Sequence, residues 1–287
     1  MTATEHDAAT ADGTRIVLRT WPAEGAQNGP ATGALFLVHG LGEHARRYDH
    51  VARAVAALGV EVRSYDQRGF GRSGGARGTV PTPEALVDDA AELFARYAGE
   101  RRAAGDAAPP FVLGHSMGGC VVARAVTAGR IAPRGMVLSS PALVPRMGAA
   151  DRWATALGER LIPNVRVPHR LPMHRLSHDP AVEAAVRADA DAHDRITARL
   201  AAFMRRAGAA AIDDARRCAV PTLLLVAGDD HFVDPDGARR FHANLPPGVG
   251  TLRVYDALWH EVFNERAEDR ARVLDDLTAW LRGRLAA

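Results

Sequence analysis

Residues Gly114-His115-Ser116-Met117-Gly118-Gly119 constrain this chain more than any others, because they put a serine where a fold would ordinarily avoid one. The apolar run Phe111-Val112-Leu113 before them reads as a short buried strand. Cys120-Val121-Val122-Ala123-Arg124-Ala125-Val126 after them reads as a helix, closed by Gly129 in a C-cap position. A serine at a strand-to-helix junction, with glycine two residues before and two after, marks a sharp turn that strains the backbone and lifts the hydroxyl above a sheet. Gly114 and Gly118 carry no Cβ, so strand and helix can approach closely there. A chance Gly-x-Ser-x-Gly in a loop would lack both flanking elements. Ser116 therefore reads as a nucleophile.

Apolar β-rich runs alternate with helical patterns, which predicts an α/β fold with a mostly parallel sheet covered by helices on both faces. Strands are expected at residues 15–20, 34–38, 60–64, 111–113, 135–139, 222–227 and 251–255, and helices at 48–58, 83–97, 117–128, 235–244 and 265–284. The first strand of such a fold is counted as lost. Between Pro141 and about Asp214 the alternation breaks: no strand is evident and three helical patterns follow one another. An insertion after the sixth strand lies over the carboxyl ends of the strands, where ligand crevices form in such sheets. It reads as a helical cap or lid over 141–214, splitting the core into a first part, 1–140, and a second part, 215–287.

Composition excludes several classes. Apolar residues make up 47%, enough for a large core, and the net charge is only +2. All 36 basic residues are arginines, scattered rather than gathered, so no nucleic-acid partner is expected. The first residues have neither the basic start nor the apolar stretch of a secretory signal, and no apolar run reaches membrane-spanning length. Two cysteines make no disulfide framework, so a cytoplasmic location is expected, and Cys120 reads as a small packing residue.

A serine hydroxyl needs a base within hydrogen-bond reach and a third group to orient that base. In strand-turn-helix sites of this kind the chain order is nucleophile, acid, histidine. Strand 251–255 leads into Asp256-Ala257-Leu258-Trp259-His260, which makes His260 the base. Strand 222–227 leads into a loop holding Asp229, Asp230 and Asp234, each a candidate acid, while the loop after 135–139 offers no carboxylate. The oxyanion would be held by the backbone N–H of Met117 at a helix N-terminus. A second N–H would come from Leu41, in the loop His39-Gly40-Leu41-Gly42-Glu43-His44. His39 and His44 lack a third ligand and read as structural, and His169, His174 and His178 as surface or pocket lining. No metal and no cofactor is called for.

The loop His39–His44 with Arg47-Tyr48 resembles the start of the monoacylglycerol lipase and lysophospholipase branch of the α/β-hydrolases. So do Tyr65-Asp66-Gln67-Arg68-Gly69-Phe70-Gly71-Arg72-Ser73, the segment Gly114–Gly119, and Met136-Val137-Leu138-Ser139-Ser140-Pro141. The resemblance runs from about residue 13 to 283 and is weakest across the cap. It implies Asp230 as the acid, since the family's acid precedes its histidine by the interval that separates Asp230 from His260. It also implies backbone donors at Leu41 and Met117, an alcohol-binding end at Glu43, Arg47 and His115, and a structural role for Asp66 and Arg68. Some members carry a second histidine where this chain has Phe263.

The expected activity is that of a serine ester hydrolase cleaving a single-chain acyl glycerol through an acyl-enzyme. A lysophospholipase, general carboxylesterase or thioesterase would use the same residues. A non-catalytic binding protein of this fold would ordinarily have lost a triad member, and none is missing. The partner is then a small acyl ester or lipid, met at a membrane surface through the cap. Trp153, Leu157 and Leu161, at helical spacing in the cap, are expected to line the acyl tunnel or touch that surface.

Overall fold

The computed structural model describes residues 2–25 and 31–286. Its frame is an 8-stranded sheet in the order β1-β2-β4-β3-β5-β6-β9-β10. In chain order the strands are β1 (Thr4–Ala9), β2 (Arg15–Trp21), β3 (Gly33–Val38), β4 (Val60–Tyr65), β5 (Phe111–His115), β6 (Met136–Ser139), β9 (Thr222–Ala227) and β10 (Gly250–Tyr255). β2 pairs antiparallel with β1 and with β4, and every other neighbouring pair in the sheet is parallel. The helices are α1 (Asp49–Ala56), α2 (Ala85–Ala103), α3 (Met117–Thr127), α4 (Ala149–Leu161), α5 (Pro180–Ala188), α6 (Ala198–Asp214), α7 (Pro235–Asn244) and α8 (Ala267–Leu285). This is the α/β-hydrolase fold. None of the helices in the described residues is long and apolar enough to cross a membrane.

Side-chain alternation along the central strands builds two cores. Phe36, Val38, Val112, Leu138 and Val226 point to one face, where α2, α3, α6 and α7 cover them. Leu35, Leu37, Leu113, Val137 and Leu225 point to the other, beneath α1 and α8. Both faces are dry, so β3, β5, β6 and β9 are buried at every position. That is why these strands read as unbroken apolar runs rather than as alternating ones.

Three features depart from the sequence reading. The first strand is present: β1 pairs along its length with β2. It is exposed at nearly every position, so no apolar period marks it, and cross-strand ion pairs Arg15–Asp7 and Arg19–Glu5 help hold it. The stretch between β6 and β9 also contains strands, β7 (Arg166–Pro168) and β8 (Arg195–Thr197), paired antiparallel. Three residues each is too short for a period to register. Finally, α6 lies within the stretch read as a cap yet packs into the core. Its Leu200, Phe203, Ala207, Ala211 and Ile212 lie in the main core, where it packs on α3.

A close approach of backbone to backbone lies under the site. A Cβ on Gly114 would land on the backbone of Gly118, and one on Gly118 would land on the carbonyl oxygens of Val38 and His39. Backbone cannot yield there as a side chain could. Gly118→Ala should therefore cost at least about 2 kcal/mol of unfolding free energy in urea titrations. The matched change Gly99→Ala in α2, where nothing stands within 4 Å, should be neutral or slightly stabilising.

Candidate active site

β5 ends at His115 and α3 begins at Met117, leaving Ser116 alone in the turn with φ 52 and ψ −118. A non-glycine residue in that region is strained by about 1–3 kcal/mol. Three backbone bonds hold it there: Ser116 N–H donates to Ser139 O at 2.9 Å, and Ser116 O accepts from Cys120 at 3.0 Å and Ala142 at 2.8 Å. The hydroxyl is thereby left free to turn outward.

His260 Nε2 stands 2.8 Å from Ser116 Oγ, and His260 Nδ1 donates to Asp230 Oδ2 at 2.7 Å. The other carboxylate oxygen, Asp230 Oδ1, accepts from the N–H groups of Phe232 at 2.7 Å and Val233 at 3.0 Å. Phe232 stacks on the imidazole with ring centres 4.8 Å apart. Of the three aspartates in this loop, only Asp230 meets the histidine. Asp234 caps α7 by accepting from Asp236 N–H, and exposed Asp229 accepts from the Trp259 indole.

The electrostatics suit a neutral base that becomes charged. Burial acts to raise the Asp230 carboxyl, but His260 and the two backbone donors outweigh it and keep the carboxyl below its usual value. Burial likewise acts to lower the His260 imidazole, and Asp230, with Glu261 and Glu43, more than offsets it. An imidazole held above its ordinary value is a stronger base toward the serine proton. Next to it, burial first and His260 second hold the His115 imidazole down at about 4, so this ring stays neutral. His115 Nδ1 lies 3.0 Å from Ser139 Oγ.

Leu41 and Met117 flank the serine on two sides. Met117 opens α3, and Leu41 borders the cavity from a loop seated against that helix end. The loop is braced from within. His39 Nδ1 donates to Gly40 O at 2.8 Å, His39 Nε2 accepts from Gln67 N–H at 2.9 Å, and Glu43 Oε1 accepts from Gly40 N–H at 2.5 Å and Tyr48 O–H at 2.6 Å. Asp66 ties neighbouring loops by accepting from Ala45 and Arg72 N–H groups, and Arg68 pairs with Asp89 and Asp12.

Burial acts to raise the Glu43 carboxyl, but Arg47 beside it, helped by His115 and His39, brings it down to about 2. Arg47 also grips Glu261, and the sequence reading missed that residue. A charged side chain next to the histidine gives no sign that it points inward. Glu265 was missed for the same reason. It is fully buried and accepts from Ser177 O–H, His178 N–H and Trp259 N–H, clamping the chain after the cap's 3₁₀ turn to the turn that carries His260. His178 pairs with Glu265, His169 borders the cavity and His174 is exposed. Burial pushes the Cys120 thiol up to about 12, which leaves it inert beside the nucleophile. Among the described residues no cluster of histidine, cysteine and carboxylate side chains is arranged to hold a metal.

Ser116 and His260 open onto a cavity of about 810 Å³. Glu43, Arg47, His115 and Glu261 line one part of it, and Leu171, Met173, Leu176, Ile196, Met204 and Phe232 line much of the rest. From α4 the cavity receives the small residues Ala154, Thr155 and Gly158. Of the two expectations for the stripe, tunnel lining and surface contact, the first is not met, since none of the three borders the cavity: Trp153 is 71% exposed, Leu157 41% and Leu161 64%. The helix turns its small face inward because Gly158 packs against Ala198 of α6.

A family model described as serine aminopeptidase, S33, matches residues 29–267. A monoacylglycerol lipase of Mycolicibacterium smegmatis is 34% identical over 98% of this chain and 97% of its own length. The chain belongs to the monoacylglycerol lipase branch of the α/β-hydrolases. Among solved structures, the monoacylglycerol lipase of Paleococcus ferrophilus superposes with a TM-score of 0.82 at 27% identity, covering 94% of this chain and 99% of that one. An uncharacterised abhydrolase domain-containing protein of Dictyostelium discoideum is 30% identical over 99% of this chain, which spans 30% of that relative's length. As a member of this branch the protein is a hydrolase of the lipase and esterase type.

The geometry separates the loop aspartates by experiment. Asp230→Asn should lower kcat on a soluble ester by about 10⁴-fold, through the wrong imidazole tautomer. Asp234→Asn should leave kcat nearly unchanged. If His260 acts as the base, kcat/KM of the unaltered protein should fall as acidity rises, since its protonated ring could not accept a proton from Ser116. The midpoint should lie above the ordinary imidazole value of about 6.5.

Proposed function

We propose that the protein is a serine ester hydrolase acting on a monoacylglycerol. The observation that carries this reading is the unbroken line of hydrogen bonds Ser116–His260–Asp230 at the base of a largely apolar cavity with one polar part. Ser116 Oγ attacks the ester carbonyl as His260 Nε2 takes its proton, and Asp230 holds the imidazole in the required tautomer. The N–H groups of Leu41 and Met117 stabilise the oxyanion. His260 then protonates the departing glycerol oxygen, which leaves the acyl group on Ser116. A water molecule, deprotonated by His260, releases the fatty acid. No cofactor or metal takes part.

In this reading Glu43, Arg47 and His115 form the alcohol end, and the apolar lining takes the acyl chain out of water at about 0.8 kcal/mol per CH₂. Residues 141–214 serve as the lid, with α6 as its root in the core. An aminopeptidase reading would need a carboxylate free to meet an ammonium group. At the polar part beside Ser116, Glu43 and Glu261 are instead both bound to Arg47, which favours an uncharged ester there. The enzyme would work in the cytoplasm, its two cysteines unpaired. It would meet lipid surfaces through the exposed face of Trp153, Leu157, Leu161 and Ile162.

A screen over monoacylglycerols, lysophospholipids and short p-nitrophenyl esters tests the substrate class, and preference for a lysophospholipid would displace glycerol as the alcohol. Ser116→Ala should cut turnover on every accepted ester by about a millionfold and abolish labelling by a fluorophosphonate. Label persisting on another residue would remove Ser116 from the mechanism. The double change Trp153→Ala with Leu157→Ala should weaken sedimentation with phospholipid vesicles about tenfold. It should leave soluble-ester turnover and the acyl-length optimum in place, since neither side chain borders the cavity.

A further inference from the structure

The loop carrying Leu41 follows β3, and the turn carrying His260 follows β10. In the sheet these strands are separated by β5, β6 and β9. At about 4.8 Å per strand that is roughly 19 Å, so the sheet does not by itself hold the two segments in register over Ser116. One side-chain cluster joins them directly. Arg47 Nη1 donates to Glu43 Oε2 at 2.7 Å and to Glu261 Oε1 at 2.7 Å, while Arg47 Nη2 donates to Glu261 Oε2 at 2.8 Å. Glu43 grips Gly40, the residue before Leu41, and Glu261 is the residue after His260.

The cluster borders the cavity, but its polar atoms are taken up by one another and by neighbouring residues. The side chains of Arg47, Glu43 and Glu261 are 13%, 7% and 5% exposed. Glu43 Oε1 is taken by Gly40 and Tyr48, and Glu261 Oε2 also accepts from Asn264 Nδ2 at 2.9 Å. Glu261 N–H donates to Leu176 O at 2.9 Å, which ties the same turn to the stretch between β6 and β9. Burying three charges is expensive unless each is paired, and such clusters are best attested where they fix a register.

We propose that Glu261 is a positioning residue: through Arg47 it bolts the turn bearing His260 to the loop bearing Leu41, holding base, nucleophile and oxyanion donor in one geometry. This rests on the serine ester hydrolase reading and moves Arg47 and Glu43 from gripping the alcohol to holding the machinery. A displacement of about 1 Å in such a constellation costs about a hundredfold in rate.

The test uses p-nitrophenyl butyrate, which has no glycerol for an alcohol site to bind. Glu261→Gln should lower kcat on this ester about a hundredfold, with KM changed less than about twofold. The charged and titratable groups facing His260 are Asp230, Glu261, Glu43 and His115. Removing one of these negative charges should also move the acid limb of kcat/KM to lower pH, which loss of packing alone would not do. Glu261→Asp, keeping the charge, should keep the limb in place and recover part of kcat. Arg47→Lys, whose ammonium cannot supply the forked bonds, should reproduce the loss of kcat and decides the matter if Glu261→Gln fails to fold. Unchanged kcat on p-nitrophenyl butyrate with a raised KM for monoacylglycerol would overturn the proposal and return the cluster to alcohol binding. No ester turnover in the unaltered protein, or turnover surviving Ser116→Ala, would instead overturn the hydrolase reading.

Discussion

The approach of α3 to the ends of β3 and β5 is the contact on which the rest of the site depends. Gly114 and Gly118 let helix and strands meet backbone to backbone, and the turn between them has room for a single residue, Ser116, in a conformation it would not choose alone. The strain is sustained by the bonds to Ser139, Cys120 and Ala142, which belong to two core elements and the start of the lid segment. The same approach brings the helix N-terminus beside the His39–His44 loop. The Ser116 turn and its seat against the His39–His44 loop thus share one origin in two missing side chains.

Around that point the protein manages an unusual density of buried charge. Asp230, Glu43, Arg47 and Glu261 are all withdrawn from water within the same region. Each carboxylate is matched by donors: His260 and two N–H groups for Asp230, and one shared guanidinium, Arg47, for Glu43 and Glu261. His115 and His39 are kept neutral by burial, so they add dipoles without adding charge. The one group left able to change its protonation easily is His260. A field with a surplus of negative charge favours its imidazolium.

The stretch between β6 and β9 does two jobs. Its last helix belongs to the core through Leu200, Phe203 and Ala207, while α4 presents small residues to the cavity and large apolar ones to solvent. A stripe such as Trp153, Leu157 and Leu161 ordinarily marks the buried side of a helix. Here the inward side needs small residues to pack on α6, so the stripe is displaced outward.

What the amino-acid sequence determined by itself is whatever depends on neighbours along the chain. Buried strands announce themselves as apolar runs, the elbow as glycines flanking a serine, and His260 by its place after the last strand. The family motifs then singled out Asp230 from Asp229 and Asp234 through spacing. What only the tertiary structure decided depends on partners far away in sequence. β1 exists because its backbone has a ladder to join, not because its side chains are apolar. Glu261 and Glu265 point inward because Arg47 and the Ser177–His178 segment wait there, 214 and 87 residues distant. A carboxylate's fate is set by whether a donor meets it in three dimensions, and no local pattern encodes that meeting.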